Sequence, residues 1–172
     1  MIKQIKENIW QFNFTEFGSC VYLLIIDNKK IIIDTGARAN RQELIQYLKE
    51  LKLTPEDIDI VILTHNHYDH IENADLFSKA KVYGNKNDFK QENILNIDTL
   101  NMPELKIIET PGHTPGGICI LYKDVLFSGD TLFNHGHIGR TDFPGGDYEK
   151  IIDSLETLSK VKYNTLCPGH LT

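Results

Sequence analysis

Residues 58–70 read Ile58-Asp59-Ile60-Val61-Ile62-Leu63-Thr64-His65-Asn66-His67-Tyr68-Asp69-His70, an apolar β-branched run that ends abruptly in histidines and a carboxylate. The run Ile58–Leu63 is predicted as a buried strand, because isoleucine and valine favour the pleated surface and no helical spacing interrupts them. Three of the chain's seven histidines fall within the seven residues that follow, so this strand leads into a cluster rather than a scatter. Strand-to-loop transitions along one edge of an α/β sheet are where ligand groups are displayed. Imidazole and carboxylate are the standard ligands of zinc and other divalent first-row metals. Four such groups packed this tightly cannot all face one tetrahedral ion, whereas two neighbouring metals accommodate them.

Working outward, Arg41–Leu51 carries Leu44, Ile45, Leu48 and Leu51 at helical spacing and is predicted as an amphipathic helix. Thr54-Pro55-Glu56-Asp57 opens a short turn before the decisive strand. Upstream, Cys20–Asp27 and Lys30–Asp34 form a predicted hairpin about Asn28-Lys29. Downstream, Lys81–Tyr83 and Leu105–Ile108 read as short strands, and Gly117–Tyr122 pairs with Val125–Phe127 across Lys123-Asp124. Tyr148–Leu158 is helical again and Thr165–Cys167 is a last strand. Hairpins mixed with strand–helix units predict an α/β domain with mixed sheets. The Pro/Gly stretches Thr110–Gly116, Phe143–Gly146 and Pro168–Gly169 are too short to be linkers, so a single domain over residues 1–172 is expected.

Composition narrows the function classes. With 41% hydrophobic and 24% charged residues the chain has an ordinary globular balance, neither disordered nor collagen-like. A net charge of −6 leaves no basic surface to release phosphate counterions, so no nucleic-acid partner is expected. Runs such as Val21–Ile26 fall far short of the ~20 apolar residues of a membrane helix, and no membrane association is expected. The N-terminus shows no secretory signal pattern. Cys20, Cys119 and Cys167, odd in number and widely spaced, are each expected in a strand as small hydrophobes. A cytoplasmic location follows.

Further candidate ligands sit after other apolar runs. His113 lies in Thr110-Pro111-Gly112-His113-Thr114-Pro115-Gly116, Asp130 in Phe127-Ser128-Gly129-Asp130-Thr131, and His170 in Cys167-Pro168-Gly169-His170. A glycine immediately before each lets backbone approach a crowded site.

With Ile33-Asp34-Thr35-Gly36, these ordered motifs resemble those of the metallo-β-lactamase superfamily, and the resemblance covers the whole chain. It implies a four-layer αββα sandwich with two mixed β-sheets and metals between them. It also implies that His65, His67 and His113 hold one metal, that Asp69, His70 and His170 hold a second, and that Asp130 bridges both. Asp69 and Asp130 are then the catalytic carboxylates. Asp34 matches a position that orients ligands rather than binding metal, and Thr64, Thr114 and Thr131 could hydrogen-bond the ligand set in the same role; for Asp34 the plainer reading is a turn residue before Gly36. The implied cofactors are two divalent ions, zinc in the first instance, with iron or manganese accepted by the same donors.

Within the superfamily, Pro111–Ile118 and Gly129–Phe133 look most like glyoxalase II, the hydroxyacylglutathione hydrolases. That implies a small-molecule thioester substrate, a glutathione conjugate among the candidates, attacked by a hydroxide bridging the metals. A thiolate leaves without a dedicated general acid, since a thiol pKa is only about 8.5. Long glyoxalase II enzymes carry a C-terminal helical region that grips glutathione. This chain ends two residues after His170, so the resemblance is to a short, stand-alone form. Arg140 is the candidate partner for a substrate carboxylate, against a structural pairing with Asp142 or Asp147. Tyr68 is a candidate lining residue, and His135 and His137 read as exposed loop residues.

Two enzyme alternatives stay open. The core Gly139-Arg140-Thr141-Asp142 is similar to that of persulfide dioxygenases, in which the equivalents of His65, His113 and Asp130 hold a single iron. A lactone or ester hydrolase of the same superfamily is the other. A purely structural metal site is disfavoured, because such sites close with four ligands and this chain offers seven.

Overall fold

The computed structural model describes residues 1–171. The described strands form two sheets. The first has seven strands in sequence order: β1 (Ile2–Lys6), β2 (Ile9–Phe12), β3 (Val21–Ile26), β4 (Lys29–Ile33), β5 (Ile60–Ile62), β6 (Lys81–Gly84) and β7 (Leu95–Asn96). The second has four, in the order β11-β10-β9-β8, from β8 (Leu105–Glu109), β9 (Ile118–Tyr122), β10 (Val125–Gly129) and β11 (Thr165–Pro168). Both are mixed, as expected. The first is antiparallel from β1 to β4 and parallel from β4 to β6. The second is antiparallel except for the β10–β11 pair.

The chain divides into two compact units, Met1–Leu63 with His67–Tyr83 and Glu92–Leu95, and Thr64–Asn66 with Gly84–Gln91 and the chain from Asn96 onward. Each contains a strand–helix–strand crossover, the connection that parallel neighbours require. In the first, α1 (Arg41–Glu50) links β4 to β5. Its buried face is Leu44, Tyr47 and Leu48, with Ile45 only half-buried, so Tyr47 takes a core position that the aliphatic spacing assigned to Ile45. In the second, α3 (Tyr148–Ser159) links β10 to β11 and buries Ile151, Ser154 and Leu158. The Asp147 carboxylate caps it by accepting from the Lys150 amide at 3.1 Å.

The decisive strand is shorter than its apolar run: β5 is Ile60–Ile62, buried on both faces as a central parallel strand should be. The predicted hairpins form with two-residue connections. In the β3–β4 turn Asp27 and Asn28 both have positive φ (48° and 65°), the primed geometry that matches strand twist and places the turn one residue earlier than expected.

One hairpin is unannounced by the sequence and two expectations need correction. The N-terminal hairpin β1–β2 carries little local signal, because Ile2-Lys3-Gln4-Ile5-Lys6 is an edge strand whose buried and exposed residues do not alternate cleanly. The metal motif is not all loop: Tyr68–Ile71 forms α2, a single turn too short to show periodicity. Cys20 precedes β3 rather than lying in a strand, while Cys119 and Cys167 lie in β9 and β11. All three are buried thiols. Among the described residues no helix is long and apolar enough to cross a membrane.

Strand direction decides where chemistry is displayed. β4 and β5 are parallel, so Asp34 and the histidine segment leave the same end of the first sheet. In the second sheet β8, β10 and β11 all run in one direction, so the segments carrying His113, Asp130 and His170 also share an end.

Candidate metal centre

In the first unit, Asp34 extends the β4–β5 ladder by donating its amide to the Ile62 carbonyl at 2.9 Å. It then turns into the left-handed region at φ 57°, which Asp tolerates better than most side chains. Its carboxylate, buried in the fold, lies 2.7 Å from Nδ1 of the fully buried His70. A carboxylate at that distance fixes the tautomer with the proton on Nδ1, leaving the Nε2 lone pair for a metal. Asp34 therefore both turns the chain and sets its carboxylate behind the His70 ring. The backbone around His70 is equally held. Its carbonyl accepts from the Thr35 amide at 2.6 Å and the Thr35 hydroxyl at 3.0 Å. Asn73 Nδ2 in turn donates to the Thr35 and Ala37 carbonyls. The buried Asp69 accepts from the Ser19 amide at its carbonyl, 3.1 Å. His67 is half-buried and precedes α2, and Tyr68 is 59% exposed.

In the second unit, the Thr64 hydroxyl is 3.0 Å from Nδ1 of buried His65. The His65 and His113 rings meet edge to face with centroids 4.9 Å apart. Nδ1 of His113 donates to the Arg140 carbonyl at 2.7 Å, which again directs Nε2 to a ligand position. The His113 loop is pinned to α3: Ser154 Oγ donates to the Pro111 carbonyl and the Asp147 amide to the Gly112 carbonyl, both at 2.7 Å. At Gly112, with φ 137°, a Cβ would fall 2.3 Å from the Ile151 amide nitrogen, so only glycine lets loop and helix meet. The Gly169 amide donates to the Gly129 carbonyl at 2.7 Å, bringing the His170 segment alongside that of Asp130. One oxygen of Asp130, Oδ2, lies 3.5 Å from Nε2 of His113 and 3.5 Å from Nε2 of His170.

These separations suit metal ligands better than hydrogen bonds. Tetrahedral ligands on bonds of about 2.1 Å stand roughly 3.4 Å apart, whereas N–H···O bonds cluster at about 2.9 Å. All seven candidate ligands offer an imidazole nitrogen or carboxylate oxygen of the kind that could hold a metal ion. The donor chemistry, imidazole and carboxylate with ring tautomers fixed from behind, fits divalent metal.

Other candidates fall elsewhere. The Thr114 hydroxyl donates to Asp88 at 2.7 Å and that of Thr131 lies 2.9 Å from Thr110 Oγ1, so neither supports a ligand ring as expected; each hydroxyl is taken up by a nearer polar neighbour. The Arg140 guanidinium grips Asp142 at 2.9 and 2.6 Å and stacks over the Phe143 ring at 4.3 Å. The pair holds the exposed Asp142 carboxyl below the usual carboxylate range, chiefly through the hydrogen bond from Arg140. Asp147 pairs with Lys150 at 3.3 Å instead of with Arg140. His135 and His137 are exposed. Two supports escaped the sequence reading, the Arg140 carbonyl and Asp88. Neither carries a local signal, since one is main chain and the other a lone turn aspartate.

The description of the family model that matches residues 15–86 and 82–170 is the metallo-beta-lactamase superfamily. A probable metallo-hydrolase of Methanocaldococcus jannaschii is 38% identical over 143 residues, covering 81% of this chain and 70% of its own. The hydroxyacylglutathione hydrolase GloC of Haemophilus influenzae is 38% identical over 170 residues, covering 78% of this chain and 76% of its own. A crystal structure described as a di-iron-bound form superposes with a TM-score of 0.81 at 22% identity, covering 94% of this chain and 92% of that one, a likeness of fold.

Proposed function

Since the chain belongs to the metallo-β-lactamase superfamily and is a metal-dependent hydrolase, we propose that it is a thioesterase of the hydroxyacylglutathione hydrolase kind, acting on a small acyl thioester. The observation that carries this reading is the 38% identity to the hydroxyacylglutathione hydrolase of Haemophilus influenzae over more than three quarters of each chain. Two ions are the proposed cofactors. His65, His67 and His113 hold one, Asp69, His70 and His170 the other, and Asp130 serves both. The placement of Asp130 Oδ2, 3.5 Å from a histidine of each set, supports that sharing. When bound, divalent ions supply a water acidic enough to act near neutral pH and Lewis acidity toward a carbonyl.

The chain's own residues prepare the site. Asp34 holds the His70 proton at Nδ1 and the Arg140 carbonyl holds that of His113. Both rings are therefore held in place from behind, with Nε2 directed outward and no reorientation required. A thiolate departs without a proton because its conjugate acid has a pKa of about 8.5. Arg140 would receive a substrate carboxylate by exchanging Asp142. An exposed ion pair is weak, so that exchange is inexpensive. Tyr68, exposed beside the ligands, lines the approach.

The test is metal analysis with a substrate assay. Close to two equivalents of metal and hydrolysis of lactoylglutathione are expected. One iron, with oxygen consumption on a thiol persulfide, would overturn the thioesterase reading. Turnover of lactones or oxygen esters without thioesters would do the same.

A further inference from the structure

After β6 the chain makes a polar turn, Asn85-Lys86-Asn87-Asp88-Phe89, that lies outside every histidine motif. The turn is rigid for local reasons. Asn85 Oδ1 accepts from the Asn87 amide at 2.9 Å, and the Asn85 carbonyl accepts from the Asp88 and Phe89 amides at 3.0 and 2.9 Å. Phe89 is fully buried against Gly84, where a Cβ would lie 2.4 Å from its ring. The anchored aromatic presents Asp88 in one orientation.

Three donors from two ligand-bearing segments converge on that carboxylate. Oδ2 accepts from the Asn66 amide at 3.1 Å and from the Thr114 hydroxyl at 2.7 Å, and Oδ1 accepts from the Gly116 amide at 2.6 Å. The Asp88 carbonyl also accepts from Asn66 Nδ2 at 3.2 Å. Asn66 is the residue between His65 and His67, and Thr114 directly follows His113. Gly116 is required for this approach, since its Cβ would fall 2.7 Å from the Asp88 amide nitrogen and 2.9 Å from the carboxylate. A carboxylate is an acceptor on both oxygens, and bonds to a charged acceptor are the stronger kind.

We propose that Asp88 is a positioning residue for the histidine ligands, clamping the segment that carries His65 to the loop that carries His113. The proposal rests on those histidines holding an ion, which both the two-metal and the single-iron readings require. Asp88→Asn is the incisive variant. It is nearly isosteric but turns one acceptor into an NH2 that must face a donor, so the three donors cannot all be satisfied.

The holoprotein is challenged with a competing chelator, and the cobalt-substituted form is followed by its visible absorption. Asp88→Asn is expected to weaken the ion at His65 and His113 about 10- to 100-fold, the usual effect of losing a ligand's support. The cobalt bands of that ion shift, and a second equivalent, where present, keeps its affinity. Thr114→Val, which removes one donor, should give a smaller loss in the same direction, and the two substitutions should be non-additive; it also stands in if Asp88→Asn does not fold. Unchanged affinity and spectrum in both variants, or a loss shared equally by both equivalents along with thermal stability, would overturn the clamp. Wild-type protein holding one ion would instead overturn the two-metal reading, while the variants would still report on Asp88.

Discussion

His70 and His113 are supported in opposite ways. Behind His70 stands a side chain, the buried Asp34 carboxylate at 2.7 Å. Behind His113 stands main chain, the Arg140 carbonyl at the same 2.7 Å. A carboxylate support can be removed by a single substitution, and its negative charge raises the donor strength of the imidazole. A carbonyl support survives any side-chain change at its own position and depends instead on the backbone's path, which at Gly139 runs too close to Asp130 for a side chain. A Cβ there would fall 1.9 Å from the Asp130 carbonyl oxygen and 3.0 Å from the His113 ring. The difference teaches that the residue to mutate is not always the residue that makes the hydrogen bond.

Four experiments test that contrast. The largest effect is expected for Asp130→Ala, which removes the group near both His113 and His170. Activity should fall on the order of 10³-fold or more, as when a site loses a preorganised charge partner, with circular dichroism unchanged; a fully active variant would refute its shared role. Gly139→Ala comes next, because the clash must displace Asp130 or His113. We expect metal affinity to drop by more than about 100-fold, beyond the range for losing a single support. Wild-type chelator resistance in that protein would mean that the backbone path is not what holds His113.

Asp34→Asn is expected to cost about 10- to 100-fold in affinity for the ion at His70. Asn is the better probe than Ala because it tolerates the φ of 57° at this position, so the loss reports charge rather than backbone strain. A change below two-fold would reduce Asp34 to its turn role. Arg140→Ala should move metal affinity least, since the carbonyl remains, while KM for a carboxylate-bearing thioester rises with kcat nearly constant. Lost metal would show that the guanidinium, through Asp142 and Phe143, also holds the loop; an unchanged KM would leave it structural.

Much of the fold was legible because its signals are local. The apolar run ending at Leu63, the Leu44 and Leu48 spacing of α1 and the two-residue hairpins all follow from side-chain pattern over a few positions. The N-terminal edge hairpin was not, since Ile2 and Ile5 do not alternate with the polar residues between them. Nor was α2, whose single turn is too short to repeat a period. The seven candidate ligands stood out because histidine and aspartate after glycine or an apolar strand are chemically conspicuous. Their supports divide by the same logic. Asp34 and Thr64 lie inside recognisable motifs, and their partners are the ligand rings the resemblance implied.

What the sequence determined by itself is therefore the family, the mixed α/β class and the set of ligand candidates, each written in side chains adjacent to strands. What only the tertiary structure decided is how those candidates are held. The Arg140 carbonyl meets His113 from 27 residues away, and Asp88 gathers donors from 22, 26 and 28 residues away. A main-chain oxygen has no letter in the sequence, and a turn aspartate looks the same whether it faces water or three donors. The chain's return path brings those groups together, and that path is set by packing rather than by any local pattern.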